Sequence, residues 1–268
     1  MKAIKNNIKK IKKNRVGIFV TCRMKSSRLP QKALKKIGRY HSVELCLLNC
    51  KKIKNVNKVV LATSYQAADS ILINKFKKKY NVFAGHPQDV IKRFCDASKK
   101  YKLDVIVRVT GDCPFVSEKI INRLINAHLS KKADMTYAKK ISVGTSGEVY
   151  TVNALKFVLK KIKKALYSEY MPFYFLNNKK FFKINAIDLP KHLIRNYRLT
   201  LDYEEDLKMF NAMIKKYKHS IKKLSTQEIF NILDQNPQIA KINSNCKLIY
   251  QAKKFQNKIK KLTSFKNN

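Results

Sequence analysis

The strongest constraint on this chain is an alternation of short apolar runs with segments of helical period. Residues 16–20, 58–63, 81–85 and 103–110 are runs of buried-strand length. Between them, Val90, Ile91, Phe94 and Ala97 form one apolar stripe, and Ile120, Ile121, Leu124, Ile125 and His128 form another. Pro87 marks the expected start of the first of these helices and Ser117 caps the second. A helix is also expected over residues 42–53. This rhythm predicts an α/β fold, a mostly parallel Rossmann-like sheet with helices on both faces. After Asp134 the rhythm changes. Residues 135–138, 148–152, 182–187 and 198–201 are strand candidates of mixed character, so the second half of the sheet should be mixed. The expected organisation is a basic leader over 1–14, one domain over 15–221 and a helical tail over 222–268.

Charge has to be weighed before any site is named. The formal net charge is +42, which on its face suggests a nucleic-acid partner. Only nine of the 59 basic residues are Arg, however, and Lys is spread over almost every predicted helix. Nucleic-acid surfaces cluster their cations and favour Arg for forked contacts. Lys, Asn and Ile rising together are what AT-rich coding produces, so no specific nucleic-acid partner is expected. No apolar run approaches the 18 residues of a membrane span. The leader lacks the apolar stretch of a secretory signal, and a cytoplasmic protein is expected. The six cysteines show no CxxC pair and no zinc spacing. Cys46 and Cys50, four apart on a predicted helix, read as small buried side chains.

In open α/β sheets ligands collect at the carboxyl ends of the strands, so the loops there are the places to look. The loop after the first strand holds Arg23, Lys25, Ser26, Ser27, Arg28 and Lys32, and no acidic residue precedes Glu44 in the chain. Forked guanidinium contacts, a lysine point charge and serine hydroxyls are suited to a triphosphate; a solvated basic loop is the bland alternative. Asp112 follows the fourth strand in Gly111-Asp112-Cys113-Pro114, where it serves equally as a turn residue. Asp202 precedes a predicted helix, with Glu205 three residues on, which also makes an N-cap with a capping-box partner.

Three segments carry a resemblance. Arg23-Met-Lys-Ser-Ser-Arg-Leu-Pro-Gln-Lys32, Arg108-Val-Thr-Gly-Asp-Cys-Pro114 and Arg198-Leu-Thr-Leu-Asp-Tyr-Glu-Glu-Asp-Leu207 are similar, in order, to signatures of the cytidylyltransferases. The likeness spans the acylneuraminate and 3-deoxy-manno-octulosonate group and is closest to the spore-coat polysaccharide type. It implies the nucleotide-diphospho-sugar transferase fold and a Mg²⁺-dependent transfer from CTP to an acidic, sialic-acid-like sugar, with release of pyrophosphate, for surface glycan synthesis. By the same resemblance Asp112 and Asp202 hold Mg²⁺, and Arg23, Ser26, Ser27, Arg28 and Lys32 bind the triphosphate. Arg23 and Lys32 count with the two aspartates as catalytic. Ala62 and Thr63 lie near the base, and Arg93 and Glu148 on the sugar side. A homodimer is an assembly such enzymes adopt.

Two departures bear on the loop. Lys25 and Gln31 stand where the family has glycine, which puts the loop's shape in question, and Ser168 and Tyr170 flank Glu169 in place of Arg and His. Another nucleotidyltransferase of the same fold, using a sugar-1-phosphate or a different base, remains an alternative. So does a non-catalytic or polyanion-binding protein.

Overall fold

A computed structural model describes residues 14–162 and 165–265. Nearly all of the expected leader lies outside the described residues, as do residues 266–268. The elements, in chain order, are β1 (Val16–Thr21), β2 (Lys36–Ile37), β3 (Tyr40–His41), α1 (Ser42–Cys50), β4 (Lys58–Ser64), α2 (Ser70–Phe76), β5 (Asn81–Gly85), α3 (Val90–Tyr101), β6 (Val105–Thr110) and α4 (Glu118–Lys131). The second half holds β7 (Met135–Ala138), β8 (Glu148–Thr151), α5 (Val152–Lys161), α6 (Pro172–Leu176), β9 (Ile184–Ile187), α7 (Glu204–Lys216), α8 (Thr226–Gln235), α9 (Pro237–Lys241) and α10 (Lys253–Thr263).

The main sheet has seven strands in the order β5-β4-β1-β6-β8-β7-β9. The first four pair in parallel, β8 enters antiparallel to β6 and β7, and β9 returns parallel to β7. A parallel first half with a mixed second half is the arrangement that the change of rhythm after Asp134 predicts. Because the central strands are buried on both faces, β1 reads as a near-continuous apolar run, and β6 does too apart from Arg108. One face of the sheet (Ile18, Val20, Val107) packs on α1, α2 and α4, with Cys46 and Cys50 fully buried there. The other face (Phe19, Ile106, Tyr150) packs on α3, α5 and α6.

A third apolar cluster joins α7, α8 and α9 to Leu29, Ile37 and Leu45. Leu29, with no exposed surface, pins the basic loop to this cluster, while Ile229, Phe230 and Leu233 bind α8 into it. Among the described residues no helix is long and apolar enough to cross a membrane.

Two expectations change in detail. α3 starts at Val90, capped by Asp89, whose carboxylate accepts from the Lys92 N–H at 2.8 Å. Pro87 instead lends its carbonyl oxygen to Arg23 and Arg93. Residues 198–201 form no strand. The segment makes one parallel bridge, between Val143 and Arg198, and then its Leu201 N–H donates to the Asp112 carbonyl at 2.8 Å. Its extended backbone runs past the carboxyl end of β6 and so delivers Asp202 beside Asp112. Gly144 makes the crossing possible: with φ at +91°, a Cβ there would stand 2.1 Å from the Leu199 carbonyl oxygen.

Candidate active site

The basic loop leaves β1 at Thr21 and is held from beneath. The Met24 N–H donates to Asp69 Oδ1 at 2.6 Å, and Asp69, 2% exposed, takes a second bond from the Ser64 hydroxyl. Arg23 donates to the Pro87 carbonyl at 3.1 Å. Ser26 is half-buried, whereas Ser27 and Arg28 are exposed. Gln31 takes φ 54°, ψ 29°, the left-handed conformation that glycine would adopt without strain. The loop therefore keeps its turn with glutamine in the glycine position, at a cost of about 1–2 kcal/mol.

That turn aims Lys32 inward. Its ammonium donates to Asp112 Oδ2 at 2.6 Å and to Asp202 Oδ1 at 2.7 Å. Arg28 reaches the same Asp202 oxygen at 2.7 Å, and Arg198 holds Oδ2 at 2.9 Å. Gly111 lets β1 and β6 close on each other beneath this cluster, since a Cβ would stand 2.9 Å from that of Cys22. Burial works against the charged form of Asp112, yet the adjacent Lys32 ammonium outweighs it and holds the carboxyl at about 2. For Lys32, burial disfavours the ammonium, but the two carboxylates more than restore it and raise its pKa. Burial, with the Asp112 charge adding, pushes the neighbouring Cys22 thiol up to about 12, which disfavours its thiolate.

Asp202 does not cap α7. The cap is made by Asp206, whose Oδ2 accepts from the Asp202 and Tyr203 N–H groups at 2.8 and 3.0 Å. Asp206 also takes two bonds from Arg198 and one from Asn243 Nδ2, and it is fully buried. Asp202 Oδ1 is thereby left to face the loop cations, while Oδ2 is held by Arg198. Glu205, expected as the capping-box partner, is exposed.

The remaining expected site residues divide. Glu148 receives Arg108 Nη1 at 2.9 Å and lines a cleft of about 120 Å³ with Tyr137, Ser146, Gly147 and Pro172. Arg93 presents no surface. It is fully buried, and its guanidinium donates to the carbonyl oxygens of Ala62, His86 and Pro87, tying β4 to the loop before α3. Burial first, then repulsion from Arg23, lowers its pKa to about 10. Ala62 and Thr63 are likewise fully buried, and Tyr65, 63% exposed, is the surface residue at that strand end. Ser168 accepts from the Val90 N–H and donates to the Gln88 carbonyl, so it staples a loop.

Sequence reasoning missed Asp69, Arg108, Arg198 and Asp206 as site-building residues. The four-residue spacing Arg198, Asp202, Asp206 was a signal for the last two. Asp69 offered none, because the loop residue it holds, Met24, lies 45 positions away.

Mg²⁺ takes hard oxygen ligands and needs only one or two carboxylates when phosphates and water complete its shell. No group of three or more His, Cys, Asp or Glu among the described residues could hold a metal. Two carboxylates converging on one cation, Lys32, are nonetheless a donor set that fits.

A sheet of this order, with basic loop and aspartates meeting at the carboxyl ends of β1 and β6, is that of the nucleotide-diphospho-sugar transferases. A cytidylyltransferase from Leptospira borgpetersenii serovar Hardjo-bovis superimposes with a TM-score of 0.78 at 28% identity, covering 88% of this chain and 99% of that one. An uncharacterized protein of Methanocaldococcus jannaschii is 34% identical over 86% of this chain and 94% of its own length. The spore coat polysaccharide biosynthesis protein SpsF of Bacillus subtilis is 29% identical over 85% and 97%. Residues 18–255 match the cytidylyltransferase family, and the chain belongs to it. It is thus a CTP-using nucleotidyltransferase.

Proposed function

We propose that the protein uses Mg²⁺ to couple CTP to an acidic, nonulosonic sugar, releasing pyrophosphate, in the synthesis of a surface polysaccharide. The observation that supports this most is the meeting of Arg28, Lys32, Asp112 and Asp202 at one point. Arg23, Ser26, Ser27, Arg28 and Lys32 grip the triphosphate. Lys32 and Arg28 then offset the charge that builds on the leaving pyrophosphate. Asp112 and Asp202 would hold Mg²⁺, which would supply charge neutralisation for the triphosphate. The acceptor hydroxyl approaches the α-phosphorus from the side of Glu148, which Arg108 orients. Arg198, fixed on Asp206, fixes Asp202 in turn. The base lies against the end of β4, where Tyr65 and His86 stand with ring centroids 6.5 Å apart. The reaction belongs to the cytoplasm.

A second reading concerns the acceptor alone. Glu148 is the charged residue lining the cleft, and Arg108 is already paired with it, which favours a neutral or amino sugar. The test is pyrophosphate release with Mg²⁺, each of the four nucleoside triphosphates, and a panel of nonulosonic acids, sugar phosphates, neutral sugars and amino sugars. Release that needs CTP, a nonulosonic acid and Asp112 supports the first reading. Release with only a neutral or amino sugar replaces the acceptor. No release and no CTP binding would overturn the enzyme.

A further inference from the structure

The two carboxylate oxygens that converge on the site are held by one side chain, while Asp112 Oδ1 meets the Cys113 thiol at 3.7 Å. Asp112 Oδ2 and Asp202 Oδ1 accept from one ammonium, Lys32 Nζ, at 2.6 and 2.7 Å. Asp202 Oδ1 also accepts from Arg28, and Oδ2 from Arg198. Mg²⁺ binds at about 2.0–2.1 Å from its oxygens, and an ammonium lying between these two occupies the space and the charge that such an ion would take. Lys32 and a divalent ion are therefore alternative occupants of one place.

The three cations differ in their freedom to leave. Arg198 is 8% exposed and held twice by the buried Asp206, so it stays. Arg28 and Lys32 ride on the basic loop, with side chains 32% and 20% exposed. They are also the groups placed to grip a triphosphate, which carries about four negative charges and offers forked oxygen acceptors. A triphosphate drawing them away would uncover both carboxylates.

We propose that Lys32 closes the divalent-ion site of the unliganded enzyme and that the triphosphate opens it by taking Lys32 and Arg28 as its own counter-ions. Nucleotide binding then precedes, or accompanies, metal binding. Free metal alone does not load the site, and the cations reach the phosphates only as the carboxylates reach the ion. This rests on the reading that Asp112 and Asp202 hold the ion.

The probe is Mn²⁺, followed by the electron paramagnetic resonance of the free ion and by water-proton relaxation of the bound ion. The full chain is compared with Lys32→Met, Lys32→Gln and the double variant Lys32→Met with Asp112→Asn. Without nucleotide, the unmodified protein binds Mn²⁺ weakly, and either Lys32 variant binds it roughly tenfold to a hundredfold more tightly. Asp112→Asn removes that gain. In the unmodified protein CTP brings on enzyme-bound Mn²⁺, whereas CMP, which lacks the outer phosphates, does not. Tight Mn²⁺ binding by the unmodified protein without nucleotide would overturn the gate. So would unchanged Mn²⁺ affinity in both Lys32 variants, folded by circular dichroism, while the unmodified protein with CTP still binds the ion. If Asp112→Asn leaves the ion bound in the CTP complex unchanged, the metal lies elsewhere, and the underlying reading falls together with the gate.

Discussion

Replacing Asp206 with Ala tests the most tightly built part of the site. The carboxylate is fully buried and accepts five hydrogen bonds, from Arg198 Nε and Nη2, the Asp202 and Tyr203 N–H groups and Asn243 Nδ2. Removing it leaves a guanidinium whose side chain is 8% exposed with its bond to Asp202 Oδ2 but without its two bonds to Asp206. Breaking a buried ion pair from one side costs about 3–5 kcal/mol, mostly the penalty of the charge left behind. Losing the helix cap belongs to the same deletion and is not simply additive. For a chain of this size that loss lowers the melting temperature by roughly 10 °C. Asp206→Asn, of equal size, loses nearly as much, because its amide turns donors toward donors. Asp202→Ala is the contrast. Arg198 keeps its two bonds to Asp206, so stability falls far less, while turnover drops on the order of a thousandfold. Urea and thermal unfolding by circular dichroism, paired with pyrophosphate release, read both effects. A loss below about 1 kcal/mol for Asp206→Ala would refute the assignment of Asp206 as cap and anchor.

Gln31→Gly relieves the left-handed turn. Strain of about 1–2 kcal/mol, less about 0.5–1 for glycine's added entropy when unfolded, leaves a net gain of about 0–1.5 kcal/mol, read as a higher urea midpoint. A loss of stability would count against that strain. His128, 1% exposed, is pushed down to about 4 chiefly by burial, with the Asp134 charge opposing. The unfolded chain therefore binds the extra proton first. The stability this group contributes is complete above about 6.5 and declines as pH falls toward about 4; His128→Gln should flatten that slope in pH-dependent unfolding. Asp112 adds a more acidic window. Its contribution is present above 3.8 and is lost as pH falls through about 2, and Asp112→Asn abolishes it. With a net charge of +42, the protein should adhere weakly to DNA at low salt. Asp112→Ala should leave that adhesion intact while ending turnover, and filter binding against salt distinguishes the two.

How much of the fold was legible depended on the kind of signal. The parallel half was plain, because strands buried on both faces must be continuously apolar and the helices between them must be striped. The antiparallel entry of β8 was legible only as a loss of rhythm. Residues 198–201 misled: Arg-Leu-Thr-Leu has strand chemistry, but a lone segment crossing the sheet's carboxyl end finds no ladder. Asp202 misled in the same way. An aspartate before a helix is an ordinary cap, and Asp206, four residues on, could displace it only because Arg198 and Asn243 fold back onto it. Arg93 shows the limit of placing a residue by motif. Its guanidinium is spent on three backbone carbonyls, a role that leaves no trace in local sequence.

The sequence by itself determined the class of fold, the family and the chemistry on offer, for these reside in side-chain periodicity and in motifs a few residues long. Only the tertiary structure decided which charges meet. Lys32 lies 80 residues from Asp112 and 170 from Asp202, and they come together because Leu29, Gly111, Gly144 and Asp206 fix three separate backbone segments at one point. An ion pair of this kind depends on distance in space and on burial, and neither is written in the order of the residues.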